Sequence, residues 1–123
     1  MISYEHKHAS KVTEKECKFI HKLRIEDVGL IWEDFKQKRK YRKCFVVLAK
    51  NSKDIPIAWG LLFYEQYGRE WTFSVFVKKS YRRKGIGTHI YKMMRRKHHL
   101  ANENINVYRH DDKSIFFFDK LQK

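Results

Sequence analysis

Proline is almost missing from these 123 residues, with Pro56 the only one. No stiff extended linker and no proline-rich tract can be built from such a chain. The two cysteines, Cys17 and Cys44, are too few for a disulfide framework, and each has apolar neighbours, so both read as buried thiols. No apolar run approaches the roughly 20 residues needed to span a bilayer. Residues 1–10 lack the apolar centre of a signal peptide, so the expected location is cytoplasmic and away from membranes. Acid is scarce too: 14 Asp and Glu face 28 Lys and Arg, a formal charge of +14 spread from Lys7 to Lys123. A field of that sign favours encounter with cofactor phosphates, a nucleic acid or an acidic protein surface.

What remains is enough for a packed core. Hydrophobic residues make up 42% and aromatics 15%, which argues for a globular fold despite 34% charged residues. The length suits one domain over residues 1–123, burying roughly 65 to 70% of its unfolded surface.

Ile2 to His8 reads as a short first strand. Thr13 and Glu16 have capping-box spacing ahead of Cys17, Phe19, Ile20 and Leu23, so helix one is expected over Thr13 to Leu23. Val28, Ile31, Trp32 and Phe35 recur at helical spacing and mark helix two. Cys44 to Ala49 is a continuous apolar run, as in a strand covered on both faces. Turn residues at Asn51 to Asp54 lead into a second strand, Ile57 to Tyr64, and then a third, Trp71 to Val77. Helix three is expected from Thr88 to Leu100, with Ile90, Met93, Met94 and Lys97 inward and Lys92, Arg95 and Arg96 outward. Ile105 to Tyr108 makes a last short strand and Ser114 to Leu121 a last helix.

Between the strand ending at Val77 and helix three lies a basic turn with two glycines: Arg82, Arg83, Lys84, Gly85, Ile86, Gly87, then Thr88. The amides that open a helix have no internal partners, so a helix start of this kind accepts an anion. Glycine lets the backbone approach a ligand closely. No Gly-Lys-Ser/Thr follows, which excludes a P-loop, and the three-glycine dinucleotide spacing is missing as well.

The run from Arg82 to Gly87 resembles the Arg/Gln-x-x-Gly-x-Gly/Ala motif of the GNAT family (Gcn5-related N-acetyltransferases). The segment Asp111-Asp112-Lys113-Ser114-Ile115-Phe116-Phe117-Phe118-Asp119-Lys120-Leu121 is similar to that family's Asn-x-x-Ala-x-x-Phe-Tyr-x-Lys-Leu. The order of elements also matches through the fourth helix. The resemblance implies an α+β fold, a three-layer arrangement with a mixed, mostly antiparallel central sheet and helices on both faces. It implies acetyl-CoA as acyl-donor substrate, with no metal.

By the same resemblance, backbone amides of Val75 and Val77 meet the pantetheine arm and acetyl oxygen. Arg82, Arg83, Lys84, Gly85, Gly87 and Thr88 take the pyrophosphate, and Ser114 and Phe117 flank the thiol. Glu65 and Glu70 are the expected acceptors of the amine proton, with His110 a third candidate. Phe118 stands where the family has a tyrosine that returns a proton to the thiolate, which leaves Tyr108, Ser114 or solvent for that step.

The expected reaction is acetyl transfer to an amine, a protein lysine in acidic surroundings or a nucleic-acid-associated acceptor. The alternative is a weak or inactive domain of this fold that binds nucleic acid or an acidic protein through its basic surface. A pure nucleic-acid binder, stacking bases on Trp71, Phe73 and Tyr81, is a further reading. The short strand Ile105 to Tyr108 leaves an open sheet edge, so self-association into a homodimer is expected there. His6 with His8, and adjacent His98 and His99, lack the spacing of a metal site.

Overall fold

The computed structural model describes residues 1–18, 42–65 and 69–108. Predicted helix two, the second half of helix one and the closing helix with Ser114, Phe117 and Phe118 lie outside the described residues, as does His110.

Five strands form one sheet in the order β1 (Ser3–His8), β2 (Cys44–Lys50), β3 (Pro56–Glu65), β4 (Glu70–Val77) and β5 (Ile105–Tyr108). The first three junctions are antiparallel and β4–β5 is parallel. A parallel neighbour needs a crossover rather than a hairpin. The helix α1 (Ile86–Lys97) supplies it. The sole proline is the first residue of β3, where its missing N–H costs no ladder bond from within a strand.

Alternation along the strands sorts the core into two layers. Val47, Ala49, Ala58, Leu62, Phe73 and Val75 pack under α1 with Ile86, Ile90, Tyr91 and Met94. Val46, Leu48, Trp59, Leu61, Phe63 and Phe76 face the other way, together with Cys17 and Cys44. Cys17 belongs to the described start of a helix at 14–18, so helices cover both sheet faces. Both cysteines are buried, as expected from their neighbours.

The capping box is present in full: Thr13 N–H donates to Glu16 Oε1 at 2.9 Å, and Glu16 N–H donates to Thr13 Oγ1 at 3.2 Å. Lys7 Nζ bonds the same carboxylate at 3.0 Å, which ties β1 to that helix start.

Gly60 is where helix meets sheet most closely. A Cβ built there would lie 2.4 Å from Ile90 Cγ2, so the strand leaves out a side chain to admit the helix.

Three details differ from the sequence expectation. The helix begins at Ile86 rather than Thr88, because Gly85 itself takes the N-cap position in a left-handed conformation (φ 77°). Lys97 is exposed, not inward. Arg95, expected outward, folds back: Nε donates to Leu100 O at 3.0 Å, Nη2 to Ala101 O at 2.8 Å and Glu103 O at 3.1 Å, and Nη1 to Tyr91 Oη at 2.8 Å. These carbonyls lie in the turns after the helix, and the Leu100 carbonyl also accepts from Glu103 N–H at 3.1 Å.

Candidate functional site

The site is built where β4 ends and α1 begins. Among the described residues, pairing of β4 with β5 runs from Trp71↔Ile105 to Ser74↔Tyr108, while β4 continues to Val77. On its other side β4 stays paired with β3 to Ala58↔Val77. Lys78 N–H donates to Ile57 O at 2.8 Å, so the amides of alternate residues point to β3. The amides of Val75 and Val77 therefore point the opposite way, to the β5 side of β4.

Past Val77 the chain makes a 3₁₀ turn (Lys79–Tyr81) that is pinned from the β2–β3 turn, since Asn51 Nδ2 donates to Tyr81 Oη at 3.1 Å. Arg82 then turns back. Its Nε donates to Val77 O at 2.8 Å, and its guanidinium lies 5.6 Å from the centre of the Phe76 ring. Arg82 thus braces the end of β4 as well as carrying charge.

Arg83 (φ 63°) and Gly85 (φ 77°) both take positive φ, with Lys84 between them. Alternation of left-handed and ordinary residues curls successive amides into an anion-binding concavity. The first helical bond runs from His89 N–H to Gly85 O at 2.9 Å, and no side chain caps the helix start. The amides of Ile86, Gly87 and Thr88 precede that bond and have no partner within the helix. Arg83, Lys84 and Gly85 are exposed, Thr88 is half-buried and Gly87 is buried. Lys84 Nζ sits 5.3 Å over the Tyr81 ring. No acidic residue occupies the first turn.

The strand edge and the helix mouth bring together Val75, Val77 and the residues from Arg82 to Thr88. Tyr108 stands opposite Ser74, at the point where β5 ends, and so joins the same place in the register. Glu65 and Glu70 do not. They pair with each other at the far end of the β3–β4 hairpin, five residues from Val75, or about 16 Å along a strand. Ser114 and Phe117 lie outside the described residues.

Sequence reasoning missed two hydroxyl residues. Thr72 and Ser74 are buried at 1% and 4% exposure on the β4 face away from α1, across from Asn106 and Tyr108. Two hydroxyls alternating inside an otherwise apolar strand were the visible signal.

A separate cleft of about 510 Å³ is lined by Met1, Asn51, Lys53, Ile55, Lys78 and Tyr81, among others. It includes none of the residues from Arg82 to Thr88, so the converging amides lie outside it. Among the described residues no group of three or more His, Cys, Asp or Glu converges as a metal site would require. None of the described helices is long and apolar enough to cross a membrane.

The profile of the acetyltransferase (GNAT) family matches residues 11–122. No curated protein matches the chain. Among solved structures, ribosomal-protein-alanine N-acetyltransferase from Brucella melitensis biovar Abortus 2308 superposes with a TM-score of 0.65 at 10% identity, over 98% of this chain and 91% of its own. Glucosamine-6-phosphate N-acetyltransferase from Arabidopsis thaliana gives 0.63 at 15% identity, over 100% and 91%. An aminoglycoside N-acetyltransferase solved in complex with CoA gives 0.68 at 10% identity, over 99% and 85%. These three proteins have different acceptors by name, so the shared fold does not select one.

Proposed function

The chain belongs to the acetyltransferase (GNAT) family, and from that premise we propose that it moves an acetyl group from acetyl-CoA to the side-chain amine of a lysine held in acidic surroundings on a protein. The donor and the reaction class, N-acetyl transfer, follow from the family. The acceptor and the residue roles rest on features of this chain.

The observation that carries the proposal is the meeting, at one turn, of a β4 strand that runs three residues past its last pair with the described part of β5 and a helix start without a side-chain cap. The amides of Val75 and Val77 hold the pantetheine arm and donate to the acetyl oxygen as it gains charge, which is where a fixed donor lowers the barrier. Arg83, Lys84 and the amides from Gly85 to Thr88 hold the pyrophosphate, helped by the positive end of α1. Arg82 fixes the strand end, and Ser114 and Phe117 flank the thiol.

A free lysine amine has a reference pKa of about 10.4, so it must shed a proton before attack. The nitrogen then forms its C–N bond as the C–S bond breaks, and the thiolate takes a proton. Tyr108, at the end of β5, is the hydroxyl assigned to that return, since Phe118 has none. Glu65 and Glu70 pair at the other end of the hairpin, so the amine proton leaves to solvent.

The net charge of +14 repels small cationic amines and draws in a lysine among carboxylates. Calorimetric titration with acetyl-CoA, followed by mass spectrometry of proteins incubated with the chain and acetyl-CoA, tests each part. Binding, thiol release and acetyl-lysine are expected, and replacing Gly85 and Gly87 with valine abolishes release. Failure to bind acetyl-CoA at millimolar concentration defeats the reading, and acetylation confined to other amines overturns the acceptor alone.

A further inference from the structure

From residue 71 to residue 102 the sequence has no Asp or Glu and nine Lys or Arg. The fold sorts these cations. The buried side of α1 carries Ile86, Gly87, Ile90, Tyr91 and Met94, and the opposite side carries His89, Lys92 and Arg96, all exposed. Residues three and four apart on a helix are neighbours, about 5 to 6 Å between Cβ atoms, so these three form one ridge. The ridge starts beside the exposed Arg83 and Lys84 and ends at the exposed Lys97 and His99.

Ion pairs among the described residues lie elsewhere, joining Lys7 and Lys50 to Glu5 and Glu16. Lys92, Arg96 and Lys97 have no carboxylate beside them among the described residues. A solubilising surface normally intersperses both signs, and a face of one sign repels itself.

We infer that this outward face of α1 is a docking surface for the phosphate backbone of a nucleic-acid duplex, separate from the coenzyme cradle. A protein partner is the poorer match. The centre of a protein interface needs apolar or aromatic anchors. Among the described residues the exposed large hydrophobics are Met1 and Ile55, and neither is on α1. Backbone phosphates need only cations, because binding is driven by release of condensed counterions. The one ring in the row His89, Lys92, Arg96 is that of His89, which already packs against Tyr4 with centroids 4.2 Å apart; this favours a duplex over base stacking by a single strand. A 12-residue helix is about 18 Å long and lies alongside about ten phosphate charges of a duplex. This surface stands independently of the transfer reaction.

The test is a fluorescence-anisotropy titration of the full chain against a labelled duplex of about two helical turns, at about 50 and about 200 mM salt. If the ridge engages about four phosphates, affinity falls roughly 100-fold over that range. Lys92→Glu with Arg96→Glu weakens duplex binding more than tenfold at the lower salt and reduces the salt slope by about two, while acetyl-CoA affinity is unchanged. Lys92→Gln with Arg96→Gln, both good helix formers, decides the matter if the charge reversal does not fold. Duplex binding by wild type without acetyl-CoA binding supports this surface and defeats the coenzyme reading alone. Three results overturn the inference: unchanged duplex affinity in a folded variant, complete displacement of the duplex by saturating acetyl-CoA, or displacement by polyglutamate as effective as by unlabelled duplex.

Discussion

His6 and His98 face each other through their Nε2 atoms, 2.8 Å apart, from positions 92 residues apart in the chain. Their ring centroids are 5.0 Å apart, so the imidazoles stand nearly end to end, as when one N–H donates to the other ring's lone pair. Phe45 closes one side, with its ring 4.0 Å from that of His98 and 5.9 Å from that of His6. The pair joins β1 to the exit of α1 and works only while it shares a single proton.

Acid therefore begins to weaken the fold at a pH above the range in which the Glu5 and Glu16 carboxylates lose their charge. Burial, then His6, Lys97 and His99, hold the His98 pKa down at about 4 from 6.5, and burial followed by Lys97 lowers that of His6. The unfolded chain takes up protons near pH 6.5 that the folded chain refuses until about 4, so stability is full above that window and declines through it. Glu5 and Glu16, both lowered from 4.5, contribute at more acidic pH. Urea midpoints at neutral pH and near pH 5 should differ in wild type and differ much less in His98→Asn. Parallel losses in the two proteins would show that the pair is not responsible.

Gly60→Ala should destabilise the protein by about 1 to 3 kcal/mol through overpacking, because the new methyl meets Ile90 Cγ2. Ile90→Ala alone costs about 2 to 5 kcal/mol. In the double variant the alanine methyl partly fills the space that Ile90 vacates, so a denaturation cycle should give a favourable coupling. Simple additivity would count against the notch.

Gly85→Ala has open space around its new Cβ, so its cost is one of backbone alone, about 1 to 2 kcal/mol for a left-handed residue. Gly85→Asn should lose less, since asparagine tolerates that conformation. Thermal melts rank the variants, and equal losses for Ala and Asn would contradict a conformational origin.

Arg95→Ala should cost about 1 to 3 kcal/mol by freeing the Ala101 and Glu103 carbonyls and the Tyr91 hydroxyl, while the Leu100 carbonyl keeps its bond from Glu103 N–H. Arg95→Lys should recover little, since an ammonium cannot reproduce the planar fork. Hydrogen exchange in the 98–105 segment reads the effect directly, and wild-type protection in the lysine variant would refute it.

Much of this architecture was legible because the strands announce themselves by apolar runs: β5 came out at Ile105 to Tyr108, and β4 began one residue earlier than expected, at Glu70. The glycine turn was legible as a strand-to-helix junction, where Gly85 takes the left-handed N-cap position. Pairings across the chain were not legible. Nothing local tells His6 that it will meet His98, and helical periodicity alone sends Arg95 outward, whereas its guanidinium follows the carbonyls of the turns after the helix. Glu65 and Glu70 looked close to the chemistry in sequence, and the hairpin register set them at its far end.

Gly60 has one more role, through its register partner Val75. Because Ile90 seats in the gap that Gly60 leaves, α1 is indexed along the sheet like a tooth in a rack, and its mouth, one turn upstream, sits at a set offset from the Val75 amide. The fold thereby contains a ruler. Under the proposed function, a molecule whose acyl head and diphosphate are spaced to that length engages both ends, and one built shorter or longer must let go of one of them.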